Sequence, residues 1–186
     1  MGEKLVRFID VPVTVEMLDY ARGAEEDVRV HRTRASEIDS LTGLIGELAF
    51  AQWFLGDWKK HDVRDTKGRP DILNVIEVKT SAYPWSDRLN LLVREDYAAK
   101  RQPAYYVQVI VDTPNRNAKD IQPGWNCRIS GWATSEDVDR APLKDFGAKG
   151  GGRGGYQCRF ISIKDLQSMA NFPSLKELQT DTGESA

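Results

Sequence analysis

Apolar residues recur at helical spacing in one long stretch of the chain. Between Ser36 and Gly56 they fall three or four residues apart, and Asp39 follows Ser36 at capping-box spacing. Gly56 lies where a helix-ending glycine belongs. The pattern predicts a long helix whose buried face is made by Leu41, Leu44, Ile45, Leu48 and Phe54. A shorter helix is predicted for TVEMLDYARGA, with Thr14 as its N-cap.

Other segments have the β-branched and aromatic composition of strands. Strands are predicted for KLVRFIDVPV, PAYYVQVIVD, CRISGWAT and YQCRFISI. We also interpret DWKKHDV, PDILN and VIEVKTS as three consecutive antiparallel strands, with Asn74 near a tight turn. Helical structure is predicted for LLVREDYAAKR, SEDVDRA and KDLQSMA, and a flexible polar tail for residues 175–186. The central order of helix, three strands, helix and strand predicts an α/β protein with a mixed sheet (α+β) and helices against it.

Two glycines interrupt the predicted long helix. Gly43 and Gly46 each cost about 1 kcal/mol of helix stability relative to alanine. A helix that keeps both is expected to have another backbone packed closely against it.

Length and composition narrow the class of protein without naming a function. The 186 residues predict a single domain, and 40% hydrophobic with 29% charged residues is typical of a globular protein. We expect no membrane span and no signal peptide, hence an intracellular, cytoplasmic location. Cys127 and Cys158 are too few for a disulfide framework and are expected to be reduced core thiols, while His31 and His61 do not indicate a zinc or haem site. The net charge of −2 means that a polyanion would need a local patch or metal ions.

Three charged residues lie close together within segments that otherwise have the composition of buried strand. Glu77 and Lys79 are two residues apart, so they project from the same face of one strand, opposite to Ile76 and Val78. If Asp71 lies on the neighbouring strand, its carboxylate converges on Glu77. Two adjacent carboxylates repel unless a cation lies between them, and Lys79 offsets one negative charge only. A hard divalent ion such as Mg²⁺ or Mn²⁺ fits the remainder. The alternative is a solvated edge with a surface salt bridge.

Glu47 is a further candidate, on the predicted long helix. Its neighbours one turn away are Gly43, Leu44, Phe50 and Ala51, an apolar surround that is unusual for a glutamate whose only contact is water. On the inner side of the helix, Glu47 could reach the carboxylates of Asp71 and Glu77. The alternative is an ordinary helix-surface glutamate.

These residues resemble a known family. The sequence PDILNVIEVK, preceded by the helix GLIGELAFAQWF and followed by a predicted helix and strand, is similar to the PD-(D/E)XK nuclease superfamily. The resemblance implies a restriction-endonuclease-like αβββαβ core over about residues 36–112, with an extra N-terminal helix and a C-terminal extension over about 113–174 that adds strands. The five residues between Asp71 and Glu77 put the spacing at the compact end of that superfamily.

The resemblance implies a site and a cofactor. Asp71, Glu77 and the Val78 backbone carbonyl would bind Mg²⁺, for which Mn²⁺ would substitute, and Glu47 would be the additional acidic ligand. Lys79 would act beside them, with an orienting and electrostatic role favoured over that of a free base. The implied activity is phosphodiester hydrolysis, most simply by a DNA endonuclease connected with phages or defence. RNA as the substrate and a homodimer as the assembly remain open.

Two alternatives belong to the same fold: a nucleic-acid-binding module that has lost the chemistry, and a structure-specific nuclease for junctions or flaps. Five further residues are weaker candidates for nucleic-acid contacts, each set against a solvated, core or loop position: Arg94, Tyr97, Lys100, Lys149 and Arg153. The last two belong to the glycine-rich segment GAKGGGRGGY, which is not a P-loop because no Gly-Lys-Ser/Thr follows it.

Overall fold

A computed structural model describes residues 7–29, 37–64, 68–96, 102–118, 120–145 and 157–181. Its helices are α1 (Val15–Arg29), α2 (Glu37–Phe54), α3 (Ser135–Arg140) and α4 (Leu175–Asp181). Its strands are β1 (Ile9–Pro12), β2 (Ile76–Tyr83), β3 (Asn90–Arg94), β4 (Tyr105–Asp112), β5 (Asn126–Thr134), β6 (Leu143–Asp145) and β7 (Gln157–Ser162). The predicted mixture of helices and strands is therefore confirmed.

The described strands form two sheets. The first has the order β1-β5-β4-β2, in which β2 and β4 are parallel and the other neighbours antiparallel. The second has the order β3-β7-β6 and is antiparallel. Strand β2 lies at the edge of the first sheet, so one side of it has no neighbour among the described strands.

Two apolar clusters hold the layers together. The larger lies between the helices and the first sheet and includes Ile45 and Leu48 of α2 with Val107 and Val109 of β4. The smaller lies between the two sheets and joins Leu91 and Val93 of β3 to Tyr106 and Ile110 of β4. Because side chains alternate along a strand, β4 supplies its odd-numbered residues to the first cluster and its even-numbered ones to the second.

Several predicted helix ends are confirmed by their capping contacts. The backbone N–H of Met17 donates to the Thr14 hydroxyl at 3.1 Å, as expected for an N-cap. Gly56 has a φ of +79°, which suits the glycine that follows a helix. The segment SEDVDRA forms α3, in which Thr134 and Asp137 make a reciprocal capping box. No described helix has the length and apolarity needed to cross a membrane.

Two predictions about the central segment are wrong. Of the three predicted antiparallel strands, only the last is a strand: Trp58–Lys60 is a 3₁₀ turn, and residues 71–75 form a turn. Too few residues lie between Asp71 and β2 for a strand to develop before the chain reverses. Residues 91–94, predicted as the start of a helix, belong to β3, because Leu91 and Val93 bury alternate positions against β7. Residues 95 and 96 are helical, and 97–101 lie outside the described residues.

The C-terminal part differs in smaller ways. The segment KDLQSMA gives two 3₁₀ turns, Ile163–Asp165 and Met169–Asn171, in place of a short helix. The predicted flexible tail begins with α4, whose Leu178 is buried and packs on the larger cluster. Cys127 and Cys158 are buried free thiols, as predicted.

The two glycines of α2 have different surroundings. A Cβ atom on Gly46 would lie 1.8 Å from the Thr80 hydroxyl oxygen of β2, so the absence of a side chain lets helix and strand approach closely. A Cβ on Gly43 would meet nothing within 4 Å. Gly46 is therefore closely packed, but against a side chain and not against the backbone that was predicted, and the prediction of close packing is wrong at Gly43.

We expect Gly46→Ala to lower the free energy of unfolding by about 1–3 kcal/mol, because the added methyl group overpacks the contact with Thr80. Gly43→Ala is the matched control in the same helix and should raise it by up to about 1 kcal/mol through helix propensity alone. Urea denaturation of both variants measures the difference. Equal effects would show that α2 does not pack against β2 at Gly46.

Candidate active site

A tight turn places Asp71 beside the start of β2. Leu73 and Asn74 both have left-handed backbone conformations, with φ of +53° and +59°. Ile72 and Ile76 exchange two backbone hydrogen bonds of 3.0 Å across this turn. The chain thereby folds back, and the Asp71 carboxylate accepts the N–H of Val78 at 2.8 Å. Asn74 tolerates this backbone well, as its predicted turn position requires, whereas Leu73 adopts it more rarely.

The same hydrogen bond indicates where the Val78 carbonyl points. Odd-numbered residues of β2 bond to β4, as seen where the Val75 carbonyl accepts the N–H of Tyr105. Even-numbered residues therefore direct both N–H and C=O to the open edge of the sheet. The Val78 carbonyl consequently lies on the edge that carries Asp71, which agrees with its predicted place near a bound cation.

Strand β2 presents Glu77 and Lys79 on one face, as predicted. The Lys79 Nζ atom donates to Glu77 Oε1 at 2.7 Å. The Glu77 side chain is 3% exposed and that of Lys79 is 29% exposed, so the carboxylate is enclosed while the ammonium group reaches solvent. On the opposite face, Ile76 and Val78 belong to the larger apolar cluster. An anchored strand thus holds a buried charge on its other side.

Helix α2 packs on the face of β2 opposite to Glu77 and Lys79 and brings Glu47 within electrostatic reach of Asp71. Gly46 touches Thr80 of β2, and the next residue of a helix is rotated by about 100° around its axis. Glu47 therefore flanks the contact, where the edge strand leaves the way open towards Asp71. Its Oε2 atom lies 3.0 Å from Nε2 of His61, and the two side chains are 12% and 7% exposed.

Burial and neighbouring charges act together on Asp71. Burial raises the pKa of the Asp71 carboxyl well above its ordinary value, and the negative charges of Glu47 and Glu77 raise it further. The Val78 N–H and the Lys79 ammonium oppose this rise only in part. Asp71 is therefore within electrostatic reach of both Glu47 and Glu77, although the three residues come from a turn, a helix and a strand.

His61 holds Glu47 without adding a full charge. Burial lowers the pKa of the His61 imidazole below its ordinary value, and the charges of Asp71 and Asp62 offset the shift only partly. The ring is consequently neutral at pH 7, and with its proton on Nε2 it donates a hydrogen bond to Glu47. Among the described ion pairs, the cation that contacts one of these three carboxylates is thus Lys79, which is paired with Glu77.

The donor set suits a hard divalent cation. Three carboxyl groups face a single ammonium group, and the available donors are carboxylate and carbonyl oxygens, which Mg²⁺ and Mn²⁺ prefer. By contrast, no described group of three or more His, Cys, Asp or Glu side chains has the arrangement of a finished metal site. Each carboxylate is held by a protein group instead: Glu47 by His61, Asp71 by Val78, and Glu77 by Lys79. Ion binding therefore requires side chains to rotate, first of all Lys79 away from Glu77.

The other predicted contact residues have different outcomes. Arg94 lies at the end of β3, in the predicted helix that is a strand, and its guanidinium group bonds to Asp96 at 2.7 and 3.1 Å. The positive charges of Arg94 and Lys79 both lower the pKa of the Cys158 thiol, against the larger effect of burial, so both cations lie within electrostatic reach of that thiol. Tyr97, Lys100, Lys149 and Arg153 lie outside the described residues.

His61 was missed by sequence reasoning. It was set aside as an isolated histidine, because nothing in its spacing of 14 residues from Glu47 indicates contact. The 3₁₀ turn Trp58–Lys60, which follows α2 directly, returns the chain to the helix and buries the ring. An open cleft of about 310 Å³ adjoins His61 and Asp71 and is flanked by Lys60 and Arg69.

We expect Asp71→Asn to stabilise the fold at neutral pH by on the order of 1 kcal/mol, because it removes a buried charge that its neighbours repel. Asparagine keeps an oxygen that accepts the Val78 N–H. The gain should vanish below about pH 3.8, the ordinary pKa of aspartate, where Asp71 is protonated in the folded and the unfolded state. It should grow as the pH rises through the raised pKa of folded Asp71, since the wild-type protein loses stability over that window.

Urea denaturation across the acidic range measures this difference, with the exposed Asp120→Asn as the matched control. A variant that is less stable than wild type at pH 7, or a difference that does not depend on pH, would contradict the electrostatic account of Asp71.

Comparisons with protein-family models, with curated proteins and with solved structures find no match for this chain. The resemblance to PD-(D/E)XK nucleases therefore depends on the residues quoted for it, since the predicted order of elements around them is only partly found. The arrangement of Glu47, Asp71, Glu77 and Lys79 is what the chain itself offers for chemistry.

Proposed function

We propose that the protein is a metal-dependent nuclease that hydrolyses phosphodiester bonds, with DNA as the substrate and Mg²⁺ as the cofactor. The observation that carries the proposal is the convergence of three carboxylates from separate elements on the start of an edge strand, with an ammonium group alongside. A cluster of like charges costs stability, so a chain that keeps it gains something else from it.

Four groups of the chain would hold the ion: the carboxylates of Asp71, Glu77 and Glu47, and the carbonyl oxygen of Val78. When bound, Mg²⁺ supplies a lowered pKa of coordinated water and charge stabilisation at the phosphate. Glu47 is kept in position by His61, which is neutral and therefore leaves its negative charge intact. Asp71 is kept in position by the backbone of the strand that carries Glu77.

Lys79 has the role of orienting and stabilising in this proposal. Its ammonium group contacts a buried carboxylate on one side and solvent on the other, so it faces the place from which a phosphate would approach. There it can donate a hydrogen bond to the attacking water and offset the charge that develops on the phosphate oxygens. Attack of the water oxygen on phosphorus then breaks the bond to the leaving sugar oxygen; the water gives up one proton to solvent and the leaving oxygen takes one up, so that the products are a phosphate monoester and a hydroxyl group.

A nucleic-acid-binding module without hydrolysis is the second candidate. One observation favours it: each of the three carboxylates already has a protein partner, and Lys79 occupies Glu77 at 2.7 Å. If that ion pair does not open, the carboxylates remain a structural network. A structure-specific nuclease for junctions or flaps uses the same site and differs only in the substrate.

With Mg²⁺ and labelled linear, closed circular and branched DNA, we expect the wild-type protein to cleave. Asp71→Asn and Lys79→Met should each lower the rate at least about 100-fold, because each removes a charged group that acts in the transition state. Lys176→Ala, an exposed lysine on α4, is the matched control and should keep the wild-type rate. Cleavage of closed circles assigns endonuclease action; wild-type rates in both site variants would assign the activity to a contaminant.

Metal binding separates the two candidate functions. Mg²⁺ or Mn²⁺ should raise the Tm of the wild-type protein and leave that of Glu77→Gln nearly unchanged, because only the folded, charged site binds the ion. Thermal unfolding with and without the ion measures both. DNA binding without cleavage and without any shift in Tm would favour the binding module.

A further inference from the structure

A row of side chains leads away from the candidate site along β2. Glu77, Lys79, Ser81 and Tyr83 project from one face of the strand, because side chains alternate along it. Tyr83 ends the row and is 48% exposed. It is the one aromatic among the large apolar side chains that are exposed in the described part of the chain. An exposed tyrosine on the face that carries Glu77 and Lys79 has a ring that is available for stacking.

An aromatic cavity continues this row. The backbone N–H of Trp85 donates to the Asp112 carboxylate at 2.7 Å. Asp112 is also the cross-strand neighbour of Tyr83. The ring of Trp85 packs edge to face against Phe8, with 5.0 Å between centroids. A cavity of about 450 Å³ opens here, lined by Phe8, Trp85, Ser86, Asp87, Arg7 and Lys164.

Cations surround these rings. The Arg128 guanidinium group lies 4.6 Å from the Trp85 ring centroid, and Asp10 holds it there with bonds of 2.8 and 3.0 Å. Lys164 lies 3.6 Å from Asp87, and both side chains are more than half exposed, so this ion pair is weak and open to exchange. Aromatic faces beside arginine and lysine side chains are what unpaired bases and their phosphates bind.

We propose that single-stranded nucleic acid lies along this face, with one base stacked on Tyr83 and a later one in the Trp85 cavity. The inference rests on the proposed function for what happens at Lys79, and it names the substrate class: a strand whose bases are unpaired. A duplex keeps its bases stacked inside and cannot offer them to both rings.

Strand geometry sets the length of nucleic acid involved. Tyr83 lies about 13 Å from Lys79 along β2, at about 3.3 Å per residue. At about 3.4 Å per stacked nucleotide this distance corresponds to about four nucleotides. An oligonucleotide must therefore extend about four nucleotides on one side of the scissile phosphate to reach Tyr83.

The test is binding of fluorescent oligothymidylates of about four to twelve nucleotides, and of a duplex of the same length, measured by anisotropy in EDTA so that no hydrolysis occurs. Wild type should bind the longer single strands more tightly than the duplex, with an affinity that rises with length beyond about four nucleotides. Tyr83→Ala should bind about tenfold more weakly and Tyr83→Phe as wild type, because stacking needs the ring and not the hydroxyl. Leu143→Ala is the control and should bind as wild type. It also removes an exposed apolar side chain, but from β6 and not from β2.

A second variant addresses the cavity without removing a packed ring. Lys164→Ala should weaken binding and lower the slope of log Kd against log salt by about 0.7, the loss of one phosphate contact, whereas Lys176→Ala should not.

Equal binding by Tyr83→Ala and wild type, preference for the duplex, or no salt effect at Lys164 would overturn the proposal. Binding as predicted without cleavage under any divalent ion would support the proposed binding surface and contradict the proposed nuclease activity. Cleavage at the same rate in Tyr83→Ala and wild type would support the nuclease activity and contradict the proposed binding surface.

Discussion

The hydrogen bond from the Val78 N–H to the Asp71 carboxylate is the interaction on which the candidate site depends. It joins a turn to the edge strand β2 and fixes a carboxylate at the point where the strand begins. Without it, Asp71 would be free to move away from Glu77 and Glu47, whose charges repel it. One backbone N–H thus holds a charge in a place that electrostatics disfavours.

The rest of the architecture makes that place accessible. Because β2 lies at the edge of its sheet, its even-numbered backbone groups and the side chain of Glu47 can meet on the open side. The close approach of α2 at Gly46 brings Glu47 near, and His61 holds it there without charge. On the other face of β2, Lys79 offsets part of the negative charge and remains partly in solvent. The charged groups are therefore close together, and Lys79 keeps them in contact with solvent.

Local patterns in the sequence were sufficient for some of these features and insufficient for others. The period of two along β2 placed Glu77 and Lys79 together, and the apolar neighbours of Glu47 placed it on the inner side of α2. The strand β3 was missed, because the leucine and arginine in its segment favour helix until Leu91 and Val93 pair with β7. His61 was missed for the same kind of reason: its contact with Glu47 is made by the path of the chain after α2, which no spacing in the sequence records. The two strands predicted before β2 are absent because the segment from Asp71 to β2 is too short to form a hairpin with two full strands.

The central claim is that Glu47, Asp71 and Glu77 form one negatively charged group, and the pKa of Asp71 tests it most directly. A ¹³C NMR titration of the Asp71 carboxyl group, in wild type and in Glu47→Gln, measures this pKa. The account predicts a value above 3.8 in wild type that falls when the Glu47 charge is removed. A pKa at or below 3.8 that does not respond to Glu47→Gln would show that the carboxylates do not meet, and would contradict the account.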